Sequence, residues 1–295
     1  MKITLLFLVT VLCCSLDPAS AVAEDGSSTA VHHRLAMERV ARDNPFLLLP
    51  HKPNYILFLS YCDDPNEDPF GLPPDTFDTM EMKFQVSLKI LLSEGVLGGE
   101  GDLYAAYTNS SWWQAYNRDR SRPFRETNHE PELFLVFDTN WDVLGMTASG
   151  LLMGLSHQSN GQGGSLSRSW NRVYLNLILE AGNTVISLKP WYRIPESEKS
   201  VLGEPGGDDN PDITKYMGWG EMGFLYRKGH NSLTLMLRNN LSSPNRGAVQ
   251  LGWSYPLTGN LKGYLQIFDG YGESLIDYDY RITRISMGML LADWL

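Results

Sequence analysis

The sequence predicts an all-β fold, a twelve-stranded antiparallel transmembrane β-barrel, and three observations predict it. Apolar and polar residues alternate with period two in about twelve segments separated by turn residues. The polar faces of those segments carry Lys, Gln, Arg and Asn deep inside the strands, as a wet lumen does. Aromatic residues (Trp112, Trp113, Trp141, Trp170, Trp191, Tyr192) cluster at segment ends, where interfacial girdles sit. A sandwich with its apolar faces inward is the other closed solution for many alternating strands. The lysines and arginines on the polar faces, and a last strand that runs to Trp294-Leu295 and is free to close on the first, favour the barrel.

The chain has 295 residues and opens with "MKITLLFLVTVLCCSLDPASAVA". Lys2 is a charged start, Ile3 to Cys14 an apolar core, and Ala19-Ser20-Ala21 or Ala21-Val22-Ala23 a small-residue cleavage site, so residues 1–23 read as a secretory signal. Cys13 and Cys14 raise a lipoprotein signal, but Leu12 and Cys13 are poor residues before a lipidated cysteine. With the signal removed only Cys62 remains, so the mature chain holds no intrachain disulfide. Residues 24–50 read as a short N-terminal periplasmic segment with a helix near Val31 to Arg42, and 51–295 as the barrel. No apolar run of about 18 residues follows the signal, which excludes a transmembrane helix. The net charge of −10 argues against a nucleic-acid partner.

The segments start near residues 54, 80, 103, 132, 143, 171, 184, 213, 231, 247, 261 and 282. Tyr55, Leu57, Leu59 and Tyr61 are assigned to one face of the first; Met82, Phe84, Val86, Leu88 and Ile90 share a face of the second, opposite Lys83, Gln85, Ser87 and Lys89. Leu133, Leu135 and Phe137 follow, then Leu233, Leu235 and Leu237, then Val249, Leu251, Trp253 and Tyr255. The last segment presents Ile285, Met287, Met289 and Leu291.

One pair of segments carries chemistry. Leu151, Met153 and Leu155 form an apolar face that continues as His157 and Ser159. After the loop "GQGGSLSRSW", Asn171 begins the face that continues as Val173, Leu175, Leu177 and Leu179, with Arg172, Asn176 and Glu180 opposite. A hairpin centred near Gly164 sets His157 across from Asn171, with Cβ atoms roughly 5 Å apart. A serine, an imidazole and an amide carbonyl on one face have the types needed for nucleophile, base and orienter. On a lipid-facing wall near the headgroups, such a serine meets phospholipid ester carbonyls. The loop adds backbone N–H groups near Gly161 for an oxyanion, and hard oxygen ligands, the hydroxyls of Ser165 and Ser167 and free carbonyls, of the kind calcium takes.

These residues resemble the outer membrane phospholipase A family of Gram-negative bacteria. The resemblance runs from about "RDNPF" (42–46) to the end and rests on His157 with "SNG", on "SRSWNR" (167–172), "PFRETNHEPELFL" (123–135), "DDNPDITKYMG" (208–218) and "GYGESLIDY" (270–278). It implies a twelve-stranded outer-membrane barrel that hydrolyses acyl esters of phospholipids and lysophospholipids, depends on calcium and is activated as a homodimer. It implies Ser159 as nucleophile, His157 as general base, Asn171 as orienting residue and Gly161 as the oxyanion N–H. As calcium ligands it implies the Ser167 hydroxyl, the Gln162 carbonyl, the carbonyl of Ser121 from the second subunit, and Asp209 at a position attributed to the monomer. Gln158 stands where an acid is expected, Gln162 where arginine is familiar, and Gly163-Gly164 replace a more polar pair. The stretch 193–207 is longer than the family pattern. A passive channel on the same barrel, or a structural barrel with Ser159 unused, is the alternative; a channel needs a clear lumen, which Lys83, Gln85, Arg172 and Glu180 are placed to fill.

Overall fold

The computed structural model describes residues 34, 48–199, 206–259 and 261–293. The signal segment, the Val31–Arg42 helix apart from a helical Arg34, and Trp294-Leu295 lie outside the described residues.

A two-residue strand β1 (Leu49–Pro50) precedes twelve long ones: β2 (Asn54–Cys62), β3 (Met80–Gly95), β4 (Gly101–Trp113), β5 (Phe124–Val143), β6 (Met146–Ser159), β7 (Ser169–Ala181), β8 (Thr184–Ile194), β9 (Gly220–Lys228), β10 (Asn231–Asn239), β11 (Gly247–Thr258), β12 (Leu261–Tyr271) and β13 (Arg281–Ala292). Each of the twelve pairs antiparallel with its sequence neighbours. The ring closes where β13 meets β2, from Arg284↔Cys62 to Ala292↔Asn54. Closure leaves no free edge, as a sheet in hydrocarbon requires. At one end the strands turn tightly, as at Leu144-Gly145, where both residues have positive φ (55° and 79°), the conformation of the hairpin turn that matches strand twist. At the other end lie long connections described at 63–79, 114–123, 160–168, 195–199 with 206–219, and 272–280.

Alternation sends the apolar residues outward: Leu133, Met153, Leu155, Val173, Leu175, Leu233, Leu251 and Met287 are exposed. Lys83, Arg172 and Glu180 are buried on the lumen side. Cysteines placed at Met153 and Leu175 are therefore expected to react with lipid-soluble probes, and a cysteine at Asn176, which lines the lumen cavity, with water-soluble ones. Labelling of protein in bilayers checks this, and the reverse pattern would mean a register slip of one residue.

Four sequence assignments are corrected. The face given to Tyr55, Leu57, Leu59 and Tyr61 is broken: Tyr55 and Leu57 are buried with Tyr264 and Leu290, whereas Leu59 and Tyr61 are exposed. Register shifts between Leu57 and Ser60 and between Met287 and Met289 mark irregularities there, and one extra residue exchanges the two faces of a strand. The segment expected near 213 is a helical turn at Thr214–Met217, and the strand starts at Gly220. The strand expected near 132 begins at Phe124, eight residues earlier, because from Glu126 to Glu132 the inward residues are Glu126, Asn128, Glu130 and Glu132 and the outward ones Thr127, His129 and Pro131, a period of two with no apolar face to reveal it. Three of the six girdle aromatics, Trp112, Trp170 and Trp191, are 2%, 0% and 5% exposed and point into the lumen. Trp141, Tyr192 and Trp219, at 55%, 59% and 52%, occupy the outer wall instead.

The lumen is filled rather than open. Residues 51–53 carry His51 and Lys52 inward, onto Glu132 and Glu130 of β5, and Glu130 continues to Arg172 of β7 at 2.8 Å. At the loop end the 272–280 connection folds over the opening. Its Leu275 and Ile276 amides donate to Asn128 and Glu126, and its Asp277 pairs with Arg125 at 2.8 Å. Glu273 bridges Lys83 (2.8 Å) and Arg284 (2.7 Å). Between these layers remains a cavity of about 470 Å³. This packing speaks against the passive-channel reading.

Candidate active site on the outer wall

The β6–β7 hairpin carries the serine and histidine as the alternation predicts. Its register sets His157 opposite Asn171 and Ser159 opposite Ser169. The Asn171 Oδ1 accepts a hydrogen bond from His157 Nδ1 at 2.8 Å. With the Asn171 carbonyl facing it, Nδ1 is the donor of that bond, and in a neutral ring the lone pair is then on Nε2. Ser159 follows two residues along the same outward face. His157 is exposed and Ser159 half-buried, so the group opens to the outside of the barrel and not to its lumen.

Gln158, on the opposite face between them, accepts from the indole Nε1 of the buried Trp170 at 2.8 Å. The Arg172 guanidinium stacks over Trp170, 4.1 Å from the ring centroid. The hairpin end is thus backed on its lumen side by packed side chains.

The 160–168 loop is organised by Asn160, which alternation alone does not single out. Asn160 is 3% exposed. Its Oδ1 accepts from the amides of Arg168 (3.0 Å) and Gln162 (3.3 Å), and its Nδ2 donates to the Leu166 carbonyl (2.8 Å). One amide side chain replaces the missing strand ladder of the loop. The signal was present in "SNG", since Asn before Gly at a strand end is turn chemistry. Gly161 has φ +66°, a left-handed conformation that is open to glycine and strained for most side chains.

The proposed ligand residues are only partly gathered. The Ser167 hydroxyl donates to Asp209 Oδ2 at 2.8 Å, and the Ser169 hydroxyl to the same oxygen at 3.2 Å. Asn210 fixes that approach by accepting from the Ser169 amide at 3.0 Å. Hydroxyl and carboxylate oxygens are the hard donors that calcium takes, so the donor chemistry fits. The other Asp209 oxygen pairs with the Lys199 ammonium, a tethered cation at the same carboxylate. Gln162 lies in the loop with its amide on Asn160. Ser121 lies apart, exposed on the 114–123 connection with φ 56°.

Two further side chains border the group, one beside the serine and one beside Asn171. His129 of β5 is in register with Ser159, accepts or donates at Nδ1 to the Tyr107 hydroxyl at 2.6 Å, and lies beside Gly161. Glu196, beyond the end of β8, accepts from Asn171 Nδ2 at 2.9 Å.

The chain matches the family model described as Phospholipase A1 over residues 31–291. It is 41% identical over 293 residues to the phospholipase A1 of Klebsiella pneumoniae, covering 95% of this chain and 96% of that protein. The structure is similar to outer membrane phospholipase A from Escherichia coli, with TM-score 0.78, 41% identity, and 86% and 95% of the two chains covered. It is equally similar to the outer membrane phospholipase of Salmonella typhi, solved as a dimer with bound calcium, with TM-score 0.78, 40% identity, and 85% and 94% covered.

Proposed function

Because this chain belongs to the phospholipase A1 family of bacterial outer-membrane ester hydrolases, we propose that Ser159, His157 and Asn171 carry out its reaction on phospholipids and lysophospholipids, at either acyl position. The observation that carries this reading is the 2.8 Å bond from His157 Nδ1 to Asn171 Oδ1 on the exposed outer wall, with Ser159 next on that face. Ser159 Oγ attacks the ester carbonyl carbon while His157 Nε2 takes its proton. His157 returns that proton to the departing alcohol, and water then releases the fatty acid by the same steps. Asn171 holds the imidazole tautomer and orientation. The Gly161 amide donates to the developing oxyanion. Acyl chains lie along the exposed apolar wall formed by Leu155 and Val173, so the ester reaches the serine from the bilayer without crossing the lumen.

Residues 1–23 act in this reading as the export signal, and 24–50 as a periplasmic segment whose end, Leu49–Pro50, pairs onto β3. Calcium would be held by the Ser167 hydroxyl, the Gln162 carbonyl and Ser121 of the partner subunit, with Asp209 the alternative in a monomer. Bound there it supplies positive charge beside the oxyanion. One subunit offers fewer oxygens than the six to eight that calcium takes, so completion of the site by a second copy links calcium to homodimerisation. The S. typhi relative, solved as a calcium-bound dimer, supports this link.

The test is covalent labelling with an alkylsulfonyl fluoride in detergent micelles across a calcium titration, with sedimentation followed in parallel. Modification is expected at Ser159 alone, rising together with the dimer fraction, and suppressed by chelation. A calcium-free monomer labelled at the full rate would overturn the link among ion, interface and catalysis. Labelling of another residue would overturn the assignment of the nucleophile.

A further inference from the structure

Asn171 has a problem that an aspartate in its place would not have. Its Oδ1 and Nδ2 are nearly isosteric, and only Oδ1 toward His157 selects the Nδ1–H tautomer that leaves Nε2 as a base. Turned over, the amide would set N–H against N–H. Something must choose between the two orientations, and the hairpin itself does not.

β8 supplies it. Asn171 is paired with Ile194, the last residue of β8. The outward residues at this end of β8 are Tyr192 and Ile194, and Glu196 is the next position of that parity. Three neighbouring strands therefore extend their apolar outer faces with polar residues at the same end: His157 and Ser159 on β6, Asn171 on β7, Glu196 past β8. Glu196 Oε1 lies 2.9 Å from Asn171 Nδ2 and is half-buried. An ionised carboxylate only accepts hydrogen bonds. It can meet the Asn171 amide only at its NH₂, so the carbonyl is forced toward His157. The bond is charge-assisted and polarises the amide, which increases the electron density on Oδ1 as His157 becomes positive. Pro195, with its fixed φ, reduces the freedom of the chain that presents the carboxylate.

We infer that Glu196 is a positioning residue for the reaction, acting through Asn171 to fix its amide orientation, so that the site works as a Ser159–His157–Asn171–Glu196 chain. The inference rests on the Ser–His–Asn reading above.

It is tested with full-length protein in micelles containing calcium, using a dioctanoyl phosphatidylcholine substrate and heat-modifiable gel mobility as the check on folding. Ser159→Ala is the control for the underlying reading. Glu196→Ala is expected to lower kcat about five- to tenfold with KM within about twofold. Glu196→Gln, which keeps an acceptor oxygen for Asn171 Nδ2, is expected to recover more than half of that loss. In an Asn171→Ala background, Glu196→Ala is expected to cost nothing further, because its route to His157 is already gone. With Ser159→Ala inert, an unchanged kcat in folded Glu196→Ala overturns the inference alone. So does an equal loss in both backgrounds, or a loss confined to KM. Activity retained by Ser159→Ala would instead overturn the reading on which it rests.

Discussion

Ser159→Ala and His157→Ala are each expected to reduce ester hydrolysis by at least about 10³-fold while the barrel still folds. The first removes the atom that attacks the carbonyl, the second the base that takes its proton. Both side chains lie on the outer wall at the end of β6, with His157 exposed and Ser159 half-buried, so neither fills a core whose loss would unfold the protein. Asn171→Ala is expected to retain more activity than either, since it orients the imidazole without reacting. Turnover by purified variants, with heat-modifiable gel mobility as the folding check, decides it. Near-native turnover by Ser159→Ala in protein free of other lipases would sink the mechanism.

Arg284→Met is expected to produce the largest loss of stability, about 3–5 kcal/mol. Arg284 is 1% exposed and pairs with Glu81 at 2.8 Å and Glu273 at 2.7 Å. Its loss leaves two buried carboxylates each short of one cation, since Glu81 keeps only Arg125 and Glu273 only Lys83 among these partners. The same contacts set an acid limit. Burial pushes the Glu273 carboxyl up, but the charges of Arg284 and Lys83 outweigh it and bring it down to about 2. A carboxylate depressed in the folded state adds stability that is complete above its ordinary value of about 4.5 and is lost as pH falls toward 2. Urea unfolding in lipid vesicles from pH 7 to pH 2.5 is expected to show the native protein weakening over that window. Arg284→Met should be weaker at pH 7 and lose less on acidification. Equal stability of the two proteins at pH 7 would refute the role assigned to this network.

Much of the barrel is legible because a strand repeats every two residues and each outward side chain meets hydrocarbon. Apolar faces such as Met82 to Ile90 or Val249 to Tyr255 need either hydrocarbon or a second sheet against them, and the polar residues on the opposite faces select the barrel. The same period carries His157, Ser159 and Asn171 onto one face, and a hairpin fixes which residue opposes which. Alternation fails where the backbone adds a residue, as between Leu57 and Ser60, because a bulge leaves no mark in composition. It also misjudges Trp112, Trp170 and Trp191, since an indole is equally suited to a girdle and to a packed lumen, and parity along a correctly bounded strand decides between them.

What the chain by itself determined was the closed all-β architecture and the Ser–His–Asn face, both consequences of local periodicity and one short hairpin. What only the tertiary structure decided were contacts across long separations. Ser167 meets Asp209 from 42 residues away, Asn171 meets Glu196 across the β7–β8 seam, and the 272–280 connection closes the lumen through Asn128 and Glu126. Those pairings depend on where irregular loops come to rest. Loops have no repeating pattern that sorts their side chains by solvent, so their polar partners are chosen by shape and charge only after the barrel has brought them together.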